Sequence, residues 1–285
     1  MKKVLFSVAY VSLFTVFGCG NHEKSSEATN EFNDTSTVSG DTAAHKSREM
    51  LEFKFFYTLA NLPSPIDLIN SIYKNNVPFN KDLLNPTTHA SDYSTGFKKA
   101  INYGVYGVDM AYAAFYGQNQ DLVDYYQTSK KMAEKLNVQE TFDKFTESFR
   151  ENADNKDSLV KIIDRAYYET DNYLRSNHRL EVASHVLAGS LLEAQYLSIE
   201  LMKNTDQTAA NKELFEKIYN QKLYLDNLIN LFSDLKKYPS SAGLLEQLKG
   251  IKKNYDTIKS VEDLNKTTMA ILSTSVGSVR NSLIK

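Results

Sequence analysis

The sequence predicts an all-α fold, a bundle or array of about nine helices, from three observations. Apolar residues recur at three- and four-residue spacing through most of the chain beyond residue 45. No segment between turn signals keeps a period-two alternation. Five prolines and eleven glycines are spread over 285 residues, which suits long helices joined by short loops.

Ser64-Pro65-Ile66-Asp67 opens the first element with a capping Ser, Pro at the first helical position and an acid three residues on. Ile66, Ile69, Ile72 and Tyr73 follow at helical spacing, and a loop with Pro78 and Pro86 comes next. The second helix runs from Ser94 to Tyr116, with Phe97, Ile101, Val105, Val108, Tyr112 and Phe115 on one stripe. A third starts near Asn119. Phe142, Phe145 and Phe149 mark a short fourth. Asn155-Lys156-Asp157-Ser158 precedes a fifth, and Leu180–Met202 is the sixth. The seventh covers Ala209 to Lys237 and ends at Pro239; the eighth follows from Ser241. The ninth is expected at Ser260, where Asp263 completes a capping box.

Two windows break the amphipathic pattern. Tyr103–Tyr116 reads YGVYGVDMAYAAFY with Asp109 as its one charge; Val186–Ile199 reads VLAGSLLEAQYLSI with Glu193 as its one charge. A helix apolar all round is buried and central, and the Gly and Ala content lets neighbours approach closely. The two acids lie 84 residues apart, and each has a tyrosine three residues later, Tyr112 and Tyr196. Duplication into two pseudo-symmetric halves and coincidence between two buried helices both account for the match.

The N-terminus reads as an export signal. Lys2 and Lys3 precede Val4–Phe17, an uncharged and mostly apolar run too short to span a bilayer comfortably. Val16-Phe17-Gly18-Cys19 then reads as a lipobox, with Phe17 bulky for its position. On this reading residues 1–18 are cleaved and Cys19 carries lipid, which anchors the chain to the bacterial outer membrane, on the periplasmic face. Residues 19–45, polar and nearly free of large apolar groups, form a lipid-anchored flexible tether, and 46–285 the helical domain. Cys19 is the single cysteine, so its acylation leaves no disulfide or thiolate metal site. The net charge of −2 becomes about −4 without Lys2 and Lys3, and no basic block appears, so nucleic acid is not an expected partner.

Leu59–Pro86 (LANLPSPIDLINSIYKNNVPFNKDLLNP) followed by Ile101–Ala113 (INYGVYGVDMAYA) resembles a family of uncharacterised helical lipoproteins from Bacteroidota. The resemblance spans residues 50–205. It implies an envelope lipoprotein of helical fold and brings no activity with it.

The motif inventory is sparse. His178 and His185 stand seven residues apart without a third ligand between them, and no HExxH, GxSxG or phosphate loop occurs, so no metal or other cofactor is expected. The constellation of interest is Asp109 and Glu193. A lone carboxylate in an apolar helix needs a hydrogen bond, an ion pair or a proton. If the two helices pack together, the acids share a site, with Tyr112, Tyr196 and Asn102 as the expected partners in ligand binding. The leading expectation is a non-catalytic binding or scaffolding module for a small molecule or an envelope protein. An acid/base hydrolase of envelope glycans or peptides is the alternative, and it requires both acids to line a solvent-reachable cleft. A surface adhesin is the third reading.

Overall fold

In a computed structural model, described over residues 38–285, the chain is helical throughout, with α-helices, short 3-10 turns and no strand among the described residues. The export signal, Cys19 and residues 20–37 of the expected tether lie outside the described residues. None of the described helices is long and apolar enough to cross a membrane.

The first helix, α1 (Val38–Ala60), overlaps residues 38–45 of the segment read as tether. A lack of apolar residues argues against burial, not against helix. Ala43 and Ala44 are strong helix formers, and each residue added to an existing helix gains a hydrogen bond. Phe55 and Thr58 bury one side of α1, while Met50, Phe53, Phe56 and Tyr57 remain exposed. Next, α2 (Pro65–Lys74) starts as its sequence prescribes: Ser64 Oγ accepts the Ile66 N–H, and Pro occupies the first turn.

The segment 75–95 is a long connection holding two 3-10 turns, Lys81–Leu83 and Thr87–Ser91. Thr95 then caps α3 (Gly96–Phe115), in which every residue from Ala100 to Phe115 is buried. Then come α4 (Asn119–Lys135), two short helices α5 (Gln139–Asp143) and α6 (Thr146–Glu151), and α7 (Lys156–Ser176) with Asn155 as its cap. The phenylalanine stripe read as one short helix is thus split: Phe142 and Phe149 reach the core from separate turns. Four of the helices end in the left-handed conformation that frees the last carbonyls for capping, α2 among them with Asn76 at φ +55°. Gly117 after α3 has φ +62°, Asn137 after α4 +53° and His178 after α7 +57°.

The second half comprises α8 (Leu180–Met202), α9 (Lys212–Leu235), α10 (Pro239–Tyr255) and α11 (Lys266–Ile284). Pro239 both follows α9 and opens α10, where its missing N–H costs nothing. The Ser260–Asp263 capping box forms as expected, but it caps only the turn Val261–Asp263. Leu264 leaves helical geometry to bury its side chain, and a second box, Asn265 with Thr268, starts α11.

Helices α3 and α8 are each other's main partner and form the centre of the array. Glycine sets their spacing. A Cβ on Gly104 would stand 2.1 Å from the Val186 carbonyl oxygen, and one on Gly189 would stand 2.0 Å from the Ile101 carbonyl oxygen. Ser190 Oγ crosses this narrow gap to donate to the Gly104 carbonyl. Around the pair, α4 and α7 pack on α3, α2 bridges α3 and α8, α9 and α11 cover α8, and α10 packs on α9 and α11.

Candidate functional site

The close approach of α3 and α8 brings Asp109 and Glu193 together. Both are fully buried, and their carboxyl groups are within hydrogen-bonding reach of each other. Arg280 enters from α11. Its Nε donates to Glu193 Oε2 at 2.8 Å and its Nη2 to Oε1 at 2.6 Å, a bidentate ion pair with an arginine only 5% exposed. The same Nη2 donates to the Leu83 carbonyl at 2.9 Å, and the guanidinium lies over the Tyr196 ring, 4.5 Å from its centroid.

The long connection 75–95 closes over this cluster, with Asn85 at its centre. The Asn85 N–H donates to Asp109 Oδ2 at 3.1 Å, and Asn85 Nδ2 donates to Tyr93 Oη and to Asn102 Oδ1. Tyrosine hydroxyls hold the connection by its carbonyls: Tyr125 donates to Asn85 O, Tyr106 to Pro86 O and Tyr116 to Val77 O. Tyr93 donates onward to the Ile284 carbonyl, and Asn102 Nδ2 to Leu283 O, which fixes the end of α11. The connection is thus tied down through its backbone polar groups, as buried backbone requires, as well as by Leu84 and Tyr93 in the core.

The predicted residues separate into two groups. Asp109, Glu193 and Asn102 belong to one network, and Tyr196 joins it through Arg280. Tyr112 does not: its hydroxyl accepts the Asn80 N–H at 3.0 Å, and its ring packs on Phe79 and Tyr116. The three-residue offset puts Tyr112 on the same side of α3 as Asp109, but its hydroxyl is taken by the Asn80 N–H. Cys19 lies outside the described residues. Arg280 and Asn85 were missed from the sequence. A signal for Arg280 existed, since it falls on the apolar stripe of Val276 and Leu283. Asn85 gave none, being one polar residue in a polar loop.

The charge balance of the cluster follows from burial. Two adjacent carboxylates without water cannot both ionise. Burial, and then the charge on Glu193, hold the Asp109 carboxyl well above the usual range. Asp109 Oδ1 has no partner as an ionised oxygen. A proton on Asp109, donated to Glu193, satisfies it. The cluster is then one neutral acid, one carboxylate and one guanidinium, with no net charge to desolvate. Burial alone pushes the His185 imidazole down to about 4, and its Nε2 meets Ser241 Oγ at 2.8 Å.

The chemistry available to the acid pair is limited by access. A general acid or base must reach its substrate within hydrogen-bond distance, and here both carboxyls are occupied by internal partners. The larger surface clefts are lined by other residues. Among the described residues no three His, Cys, Asp or Glu side chains gather as a metal site. Comparison with protein-family models, with curated proteins and with solved structures finds no match to this chain.

Proposed function

We propose that this chain is a non-catalytic binding or scaffolding module of the bacterial cell envelope, held by lipid on Cys19 at the periplasmic face of the outer membrane. The observation that carries the non-catalytic part is the sealed acid pair. The most chemically loaded group of residues has Arg280 on Glu193 and an Asn85 N–H on Asp109, and both acids are fully buried. That is how a helical array fastens its central helices together, not how it presents acids to a glycan. The hydrolase alternative needs Asp109 and Glu193 open to solvent, and their burial weighs against it.

The anchoring part rests on Lys2, Lys3, the apolar run Val4–Phe17 and the lipobox at Cys19, together with the resemblance to Bacteroidota lipoproteins. Fractionation of cells expressing the full chain tests it. The native chain is expected in the membrane fraction with a diacylglyceryl group on Cys19, and Cys19→Ala in the soluble fraction or unprocessed. A native chain recovered soluble, without lipid, would refute the anchoring.

A further inference from the structure

A cleft with a volume of about 570 Å³ opens where the α1–α2 connection meets α7 and α8. Its walls are mainly apolar, with Leu59 and Leu62 on one side and Val186 and Leu187 on the other; Tyr168, 59% exposed, stands at its mouth. This is the size and character of a small-molecule site.

One polar group on the wall is unlike the rest. Asp171, on α7, lines the cleft, and its Oδ1 is buried without a hydrogen-bond partner. Such an oxygen calls for a reason, because buried polar atoms are nearly always satisfied. The nearest cation does not supply it. Arg175 is engaged elsewhere: its Nη2 donates to Asn172 Oδ1 at 2.7 Å, and its guanidinium lies over the Phe56 ring. The other acid of the lining, Asp164, accepts from Ser64 Oγ at 2.6 Å; of its two cations, the exposed Arg165 pairs with Glu169, and Lys161 is exposed to solvent at the rim. Asp171 is therefore the acceptor left over in an apolar cleft.

We propose that this cleft binds a small amphiphilic amine, an apolar body carrying one ammonium group that donates to Asp171. The apolar walls take the body, and the ammonium supplies both the missing donor and the missing countercharge, which a hydroxyl does not. Burial pushes the Asp171 carboxyl up to about 7 against the pull of Arg175, so an ammonium beside it restores the ionised form. The inference deepens the binding part of the proposed function and is independent of the lipid anchor.

The test is calorimetric titration of the full chain, held in mild detergent whether or not Cys19 carries lipid, with phenethylammonium, using 3-phenylpropionate and 2-phenylethanol as matched probes and the detergent solution as the blank. The amine is expected to bind at one site at least tenfold more tightly than either probe. Asp171→Asn is expected to weaken it at least tenfold, and Leu59→Trp, which fills the cleft from its rim, to abolish it. Circular dichroism checks that each variant folds; should Asp171→Asn fail to fold, Leu59→Trp decides. No amine binding above the blank overturns the proposal. So does equal binding by the alcohol, or amine binding unchanged in a folded variant. Membrane fractionation of Cys19→Ala reads the anchoring separately, so the two readings fail by different measurements.

Discussion

Arg280 and Glu193, 87 residues apart in the chain, form a bidentate ion pair in the core with hydrogen bonds of 2.8 and 2.6 Å. The pair ties the last helix, α11, to α8 at the centre of the array. Through the Leu83 carbonyl, it also ties α11 to the 75–95 connection. A buried ion pair is often no better than an apolar replacement of both partners, but losing one partner strands the other charge out of water.

Arg280→Ala is therefore expected to cost about 3–5 kcal/mol, the usual penalty for breaking a buried pair by removing one side. The double replacement Arg280→Met with Glu193→Leu is expected to recover much of that loss. Urea denaturation of the variants, followed by circular dichroism, measures both. A loss below ~1 kcal/mol for Arg280→Ala would mean that the pair is solvated.

The contact between α3 and α8 depends on missing side chains. A methyl group at Gly104 or Gly189 meets a backbone carbonyl at 2.1 or 2.0 Å, and backbone cannot swing aside. Gly104→Ala and Gly189→Ala are each expected to destabilise by ~3 kcal/mol or more, the upper range for overpacking. Gly243, in α10, has nothing within 4 Å of its Cβ position. Gly243→Ala is expected to stabilise by about 0.5–1 kcal/mol through helix propensity. Thermal melts of the three variants, compared with the unsubstituted chain, give both signs.

His185 gives the domain a sensitivity to acid. Its folded value, about 4, lies below the unfolded 6.5, so the unfolded chain binds the proton first. The stability it contributes is complete above pH 6.5 and falls as pH drops from there toward 4, by ~3 kcal/mol in total. Asp171 works the other way. Its folded value is raised to about 7, so its contribution is present at low pH and lost as pH rises to 7. Comparing unfolding free energies at pH 7.5 and 4.5 for the native chain and for His185→Gln isolates the histidine. The native chain is expected to lose more stability than the variant on acidification; an equal loss would contradict the burial of His185.

Much of this fold was legible because its strongest signals are local. The Ser64-Pro65 start and the Asn155 cap follow from capping signals, and the bounds of α8 coincide with the ends of its continuous apolar run, without a side-chain cap. The pairing of α3 with α8 was legible too, because a helix with one charge in fourteen residues and glycines on its surface has to be central. What the sequence hid was long-range or polar. Arg280 is one residue on an apolar stripe far down the chain, and Asn85 acts through its backbone as much as its side chain. The second capping box, at Asn265, was obscured by the first at Ser260, because nothing local says that Leu264 must turn inward. Tyr112 was misplaced because helical offset gives the side of a helix, not where a hydroxyl six atoms out will end.

The central claim is that Asp109 is held neutral beside an ionised Glu193–Arg280 pair, as a structural fastening. Unfolding free energies of Asp109→Asn and Glu193→Gln test it most directly. Asn at 109 can accept the Asn85 N–H and donate to Glu193, as a protonated Asp109 does, so its stability is expected within ~1 kcal/mol of the native chain. Gln at 193 strands the Arg280 charge and is expected to cost about 3–5 kcal/mol. Equal losses from the two substitutions, or a Glu193→Gln variant as stable as the native chain or more so, would contradict the account.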